Sequence, residues 1–301
     1  MAAVEISHIS KSFGSVKAVD DVSFNVDQGE IFGLLGPNGA GKTTTIRIML
    51  DVFKPDQGQV SILDGAMTEG KKNRIGYMPE ERGLYQDVPL ERCLMYLSSL
   101  KGMDSSTAHQ RMDDYLERFD LADHRKKKVK ELSKGMQQKA QIIATLLHDP
   151  ELIIIDEPFS GLDPVNTRMV KDLLKEVNGK GKTIIMSTHQ MNQVEELCDR
   201  ILLVNHGRIL LYGTLQKIQR DFSGHAVLVR TSEPLPSLPG VVEQEKHNSA
   251  VKLALDNDIR PQQILQEILS RGLTIERFEI AVPTLDEIFI RVVQERQEEQ
   301  A

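Results

Sequence analysis

Gly36-Pro37-Asn38-Gly39-Ala40-Gly41-Lys42-Thr43 is the stretch that decides how the rest of this 301-residue sequence is read. It fits the pattern G-x-x-x-x-G-K-[ST], directly after the apolar run Ile31 to Leu35 and before a helix that opens near Thr43. Glycines in such a loop let the backbone curl so that successive N–H groups face phosphate oxygens, and a helix N-terminus adds partial positive charge. In that geometry Lys42 reaches the β- and γ-phosphates and the Thr43 hydroxyl holds Mg²⁺, with Thr44 beside it in the first helical turn. A glycine-rich turn without ligand is the competing reading, and the strand–loop–helix context argues against it.

Leu152-Ile153-Ile154-Ile155-Asp156-Glu157-Pro158 supplies the matching acids. A buried strand ending in a carboxylate sets Asp156 beside a phosphate loop, where it orients the metal's water shell. Glu157, one position on, is placed to polarise an attacking water. Alone, the pair could simply end a strand; after a phosphate loop the two motifs predict a P-loop NTPase.

Around these motifs, strands and helices alternate from residue 1 to 221, as in an α/β domain with a largely parallel sheet. Val4 to Ile9 and Val22 to Val26 alternate apolar with polar residues, the pattern of half-exposed antiparallel strands. Ile31 to Leu35 and Leu152 to Ile155 are continuous apolar runs, as expected of strands covered on both faces. Between about 89 and 148 the period becomes helical: Leu94, Leu97 and Leu100, then Met112, Leu116 and Phe119. This predicts a helical insertion. Residues 222–301 read as an accessory α+β domain, with strands near 226–230, 241–245, 250–255 and 273–280 and helical stripes near 264–269 and 285–293. The proline-rich stretch Glu233 to Pro239 is expected to wrap the edge of its sheet.

Composition narrows the class. The chain is 40% hydrophobic and 27% charged, as in ordinary globular proteins. No stretch approaches the roughly 20 apolar residues that span a bilayer. Met1 to Ser10 lacks a basic start followed by an apolar core, so no signal peptide is expected. Two cysteines far apart, Cys93 and Cys198, predict partly buried packing residues in a reducing compartment. The formal net charge of −7 argues against a nucleic-acid partner, and 222–301, with eight Lys/Arg against thirteen Asp/Glu, carries most of it. The basic run Arg125 to Lys128 with Lys130 reads as a solvated loop rather than a phosphate-binding patch, since no aromatics interleave it.

A narrower reading comes from Leu132-Ser133-Lys134-Gly135-Met136-Gln137-Gln138. Here the sequence resembles the ABC ATPase family, whose signature L-S-G-G-Q opens a helix in such an insertion. Further landmarks follow the family's order. Phe13 matches the aromatic that stacks on adenine, Ser160-Gly161-Leu162-Asp163 the loop between paired active sites, and His189 in Ser187-Thr188-His189 the switch histidine at the γ-phosphate.

The resemblance implies binding of ATP and Mg²⁺ and a homodimer enclosing two nucleotides. In that dimer each chain offers Ser133 and Gly135 to its partner's γ-phosphate. Glu157 is then the base, with Lys42 and His189 at the transferring phosphoryl group. Two departures bear on the rate. Glu80 stands where the family has glutamine, as a further metal or water ligand beside Thr43 and Asp156, while Lys134 and Met136 replace glycine and glutamine in the signature.

Pro79-Glu80-Glu81-Arg82-Gly83-Leu84-Tyr85 and Pro283-Thr284-Leu285-Asp286-Glu287-Ile288-Phe289 look like the ATPase subunits of sodium-efflux and antibiotic-resistance exporters, whose permeases are separate chains. That implies an integral-membrane permease as partner and a place on the inner face of the membrane through it. The segment Glu80 to Val88 is the expected docking loop. A soluble ABC protein acting on ribosomes or DNA fits less well, given one phosphate loop and net acidity. A cytosolic regulatory or assembly ATPase is the alternative.

Overall fold

The computed structural model describes residues 1–298 apart from 82, 224–225, 248 and 257–258. It divides into two compact units, Met1–Leu215 and Gln216–Ala301, parting a few residues before the boundary that patterning suggests.

The first unit opens with two long strands, β1 (Ala2–Phe13) and β2 (Val16–Asp27). Both outrun their alternating cores because a bulged antiparallel pairing carries them on. The register slips between Ile6 and Ile9, where His8 takes a positive φ of 50°. Next come β3 (Ile31–Leu35), α1 (Lys42–Met49), β4 (Gln57–Ile62), the short α2 (Glu69–Lys72) and β5 (Ile75–Met78). β1, β2 and β4 form an antiparallel sheet in the order β2-β1-β4.

The insertion follows as α3 (Leu90–Leu100), α4 (Ser105–Arg118) and α5 (Lys134–Leu146). Leu94, Met112, Leu116 and Phe119 are buried along their facing stripes, whereas Leu100, at the end of α3, is 57% exposed. Then β6 (Leu152–Asp156), α6 (Pro164–Gly179), β7 (Thr183–Thr188), α7 (Met191–Glu195), β8 (Arg200–Asn205) and β9 (Arg208–Thr214) complete the unit. The main sheet runs β5-β6-β7-β3-β8-β9, parallel except for the antiparallel β9.

Every residue of β3, β6 and β7 is buried, which is why those strands read as unbroken apolar runs. One core joins the two sheets, with the Phe24 and Phe32 rings stacked at 5.4 Å. The loop after β3 therefore leaves the carboxyl end of a strand flanked by β7 and β8, where open α/β sheets place ligands.

α8 (Leu215–Phe222) leads to the second unit, an antiparallel sheet β11-β12-β10-β13 from β10 (Ala226–Thr231), β11 (Val241–His247), β12 (Ala250–Leu255) and β13 (Ile275–Ile280). α9 (Pro261–Ser270) lays Ile264 and Ile268 on a core with Val227, Val229 and Leu253. α10 (Leu285–Glu298) buries Leu285, Ile288 and Val292. Thr284 and Glu287 form a reciprocal cap at its start: the Glu287 N–H donates to the Thr284 hydroxyl (3.2 Å) and the Thr284 N–H to the Glu287 carboxylate (2.9 Å). The proline-rich stretch meets edge strand β11, where Gln244 donates to the Pro236 carbonyl at 3.1 Å.

Both cysteines are more buried than their sequence setting suggests, Cys93 fully and Cys198 to within 7%. Burial pushes both thiols up, so neither is a ready nucleophile. In the basic run, Arg125 pairs with Glu91 and Asp113, and Lys130 with Asp87. Lys126, Lys127 and Lys128 are exposed.

Candidate functional site

The loop Gly36–Gly41 wraps the start of α1. Three of its glycines adopt backbone that other residues avoid: Gly36 at φ 149°, Gly39 at 77° and Gly41 at 105°. A Cβ on Gly36 would sit 2.2 Å from the Val204 carbonyl oxygen, and one on Gly41 2.3 Å from that of Ala18. Those positions need glycine for space as well as for torsion. The loop curls tightly enough that the Lys42 ammonium donates to the carbonyls of Gly36 (2.7 Å) and Pro37 (3.1 Å).

Asn38, Gly39, Ala40, Gly41, Lys42, Thr43 and Thr44 line one side of a cavity of about 380 Å³, and Glu80, Asp156 and Glu157 line the other. Ala18, from β2, is also in its wall. Burial draws the Lys42 ammonium below its usual range, while Glu157, Asp156 and Glu80 oppose that shift. A lysine buried among three acids suits a site that takes in a polyanion with a divalent cation. The cation would exchange the acids' mutual repulsion for coordination, and the phosphate would pair with the lysine.

The acids are held by the neighbouring strand. β6 and β7 are in register at Asp156 and Ser187, so each residue at the end of β7 meets one at the end of β6. The Ser187 hydroxyl donates to Asp156 Oδ1, and Thr43 Oγ1 donates to Asp156 Oδ2 at 2.9 Å. Thr188 Oγ1 donates to Glu157 Oε2 at 3.0 Å. His189 reaches Glu157 Oε1 twice, with its backbone N–H at 3.0 Å and ring Nδ1 at 2.7 Å. Asp156 and Glu157 are buried, and the His189 side chain is half exposed. Glu157 also has a left-handed φ of 54°, which turns the chain sharply at the strand end. Thr43 and Asp156 are hard oxygen donors beside one another and fit Mg²⁺; Glu80, exposed on the cavity rim, is a third oxygen donor of the same class.

Other sequence-singled residues lie apart from this cavity's walls. Phe13, at the end of β1, is 45% exposed and packs edge-on against Phe53. Ser133 caps α5, its hydroxyl accepting from the Met136 N–H at 3.2 Å. Gly135 lies against the Gly161 carbonyl, where an added Cβ would stand 3.4 Å away. Leu84, one of two apolar residues expected at a docking surface, is buried; Tyr85 is 49% exposed against Tyr96. Arg82 lies outside the described residues. Sequence reading passed over Ser187 and Thr188 as partners of the acids, and over Gln138, whose buried amide donates to the Glu157 and Pro158 carbonyls at 3.2 and 3.1 Å.

Comparison with known proteins gives a consistent answer. Residues 19–160 match the ABC transporter family model, and residues 213–293 match the C-terminal domain of DrrA1-3-like ATP-binding proteins. An uncharacterized ABC transporter ATP-binding protein of Bacillus subtilis, YhaQ, is 40% identical over 96% of this chain and 97% of its own length. The Nod factor export ATP-binding protein I of Rhizobium sp. (strain N33) is 31% identical over 96% of both chains. A solved ATP-binding subunit of an ABC transporter superposes with a TM-score of 0.69 at 34% identity, covering 73% of this chain and 93% of that one.

Proposed function

The chain belongs to the ABC transporter ATP-binding family, which hydrolyses ATP, and from that premise we propose that two copies enclose two ATP molecules and drive a separate membrane permease, in the export direction. The observation that carries the catalytic part is the single cavity in which Lys42, Thr43, Asp156 and Glu157 face one another. In this reading the loop N–H groups and Lys42 hold the β- and γ-phosphates. Thr43, Asp156 and Glu80 hold Mg²⁺, which when bound offsets the charge of the transferring phosphoryl group. Glu157 takes the proton of the attacking water, and His189, bonded to the same carboxylate, orients both. Phe13 offers its exposed ring to adenine.

Ser133 and Gly135 stand at a helix N-terminus outside this cavity's wall, which supports their serving a partner's γ-phosphate. ATP is then a bridge between two chains, and its hydrolysis releases the pair by removing the shared contacts. Among the described residues no helix is long and apolar enough to cross a membrane, and in this reading force reaches the membrane through the permease. Export follows the DrrA-like C-terminal domain and the full-length likeness to a Nod factor export protein.

A groove of about 330 Å³, lined by Tyr77, Pro79, Leu84, Leu97 and Leu100 beside the insertion, supports permease docking. Exposed Tyr85 stands beside it on the same loop as Leu84. An amphipathic helix end of the permease suits an apolar floor with an aromatic rim. Purification from detergent-solubilised membranes tests the reading. A co-purifying polytopic membrane protein, lost with Tyr85→Ala while isolated ATPase activity is kept, is the expected result. Recovery of a soluble partner alone would favour the regulatory alternative.

A further inference from the structure

α5 carries more than its capped N-terminus. Gln138 and Gln141 lie one turn apart on this helix, both buried, at 6% and 4% exposure. Each spends its amide N–H₂ on two carbonyls of a loop bearing one of the cavity's acids. Gln138 Nε2 donates to Glu157 O and Pro158 O. Gln141 Nε2 donates to Pro79 O at 2.8 Å and Glu81 O at 3.3 Å, bracketing Glu80. Two carbonyls fix each amide's orientation, because an amide oxygen turned toward them would repel both. Gln137, between Ser133 and these residues, donates to the carbonyls of Val129 (3.1 Å) and Leu132 (3.0 Å) and ties the helix start to the chain entering it.

Two details mark these links as more than packing. Glu157 donates its N–H to the Ser187 carbonyl as the last rung between β6 and β7, and at the left-handed turn that follows Gln138 holds the Glu157 and Pro158 carbonyls from outside the sheet. Gln141 is itself buried to within 4%, and burying so long a polar side chain is offset by the two bonds that its amide makes.

We propose that Gln138 and Gln141 are positioning residues that lock the Glu157 and Glu80 segments to the helix capped by Ser133, so that engagement of Ser133 by a second chain's nucleotide sets both carboxylates in their own chain's site. This rests on the two-chain reading above. It gives the signature helix a role in its own chain's cavity, transmitted by four hydrogen bonds from two side chains.

The test combines Gln141→Met and Gln138→Met with Ser133→Ala in double-mutant cycles of ATP turnover. Gln141→Met strands only the carbonyls of half-buried Pro79 and exposed Glu81, where water can replace the amide, so it should melt near wild type and remain decisive even if Gln138→Met unfolds. Binding of a fluorescent ATP analogue to the monomer should stay within about twofold, while kcat falls about 10-fold or more, as small misplacements of reacting groups do. In each cycle the second substitution should add little, because both act on one linkage. Glu157→Gln runs alongside, with gel filtration in ATP. If its ATP-dependent dimer never forms, the two-chain reading falls and takes this inference with it. If the dimer forms but the rate losses of Ser133→Ala and Gln141→Met multiply independently, or Gln141→Met leaves kcat unchanged, the inference alone is overturned.

Discussion

Glu157 and His189 are bonded at two points: Oε1 of the carboxylate accepts the His189 backbone N–H at 3.0 Å and faces its ring Nδ1 at 2.7 Å. With Thr188 Oγ1 on the other oxygen, the whole carboxylate is gripped by the end of β7. Its direction is thus set by the strand next to its own. Removing the ring should cost turnover without costing nucleotide. For His189→Ala we expect ATP affinity within about threefold of wild type and kcat lowered roughly 10²-fold or more, the usual range for losing a group at the reacting centre. Parallel measurement of nucleotide binding and steady-state turnover checks this.

The phosphate loop makes a graded prediction. Gly36→Ala drives a Cβ to within 2.2 Å of the Val204 carbonyl, which belongs to backbone and cannot swing aside. β8 must shift, so nucleotide binding and thermal stability should fall together, the latter by several degrees or more. Gly39→Ala meets nothing within 4 Å and suffers only its positive φ, worth about 1–2 kcal/mol. Melting curves with and without nucleotide should rank the two in that order.

Glu80 tests the metal set. If its carboxylate joins Thr43 and Asp156 around Mg²⁺, Glu80→Ala should raise the Mg²⁺ concentration needed for half-maximal turnover, and Glu80→Gln should keep or raise activity. Mg²⁺ titrations of the three proteins compare them, and superimposable curves would remove Glu80 from the set.

His148 sets a pH limit on the first unit. Burial, with Lys101 nearby, lowers its imidazole to about 4, and its Nε2–H donates to the Ile75 carbonyl at 3.1 Å. The ring is neutral in the fold, whereas in the unfolded chain it takes up a proton below about 6.5. Protons therefore favour unfolding between those values. Stability contributed here is intact above pH 6.5, is lost as pH falls toward 4, and amounts to roughly 3 kcal/mol across that window. Denaturant unfolding at stepped pH should show a shallower slope over 6.5 to 4 in His148→Gln than in wild type.

What sequence makes legible here is local. The loop at 36–43 and the strand ending at Asp156 each fit in one short motif, so their spacing alone points to the cavity they line. The helical insertion shows in its period, although Leu100 continues that period and is exposed because α3 ends there. The partners of the acids are not local. Ser187 and Thr188 meet Asp156 and Glu157 only through the parallel register of β6 and β7, 31 residues apart. Gln138 and Gln141 look like the polar side of an amphipathic helix until the packing of α5 turns them inward. Leu84 and Tyr85 are neighbours of similar character, and only the fold sends one into the core and leaves the other outside.

Glu157 as the base of the ATPase and a working form of two chains closed on ATP can be tested together by one substitution. Glu157→Gln keeps the shape of the side chain and the Thr188 contact but removes the basic oxygen. Gel filtration with ATP and Mg²⁺, alongside a phosphate-release assay, measures both parts at once. The expected result is turnover lowered about 10²-fold or more and a stable dimer that appears only with ATP. Phosphate release at the wild-type rate, with the variant eluting as a monomer at saturating ATP, would contradict it.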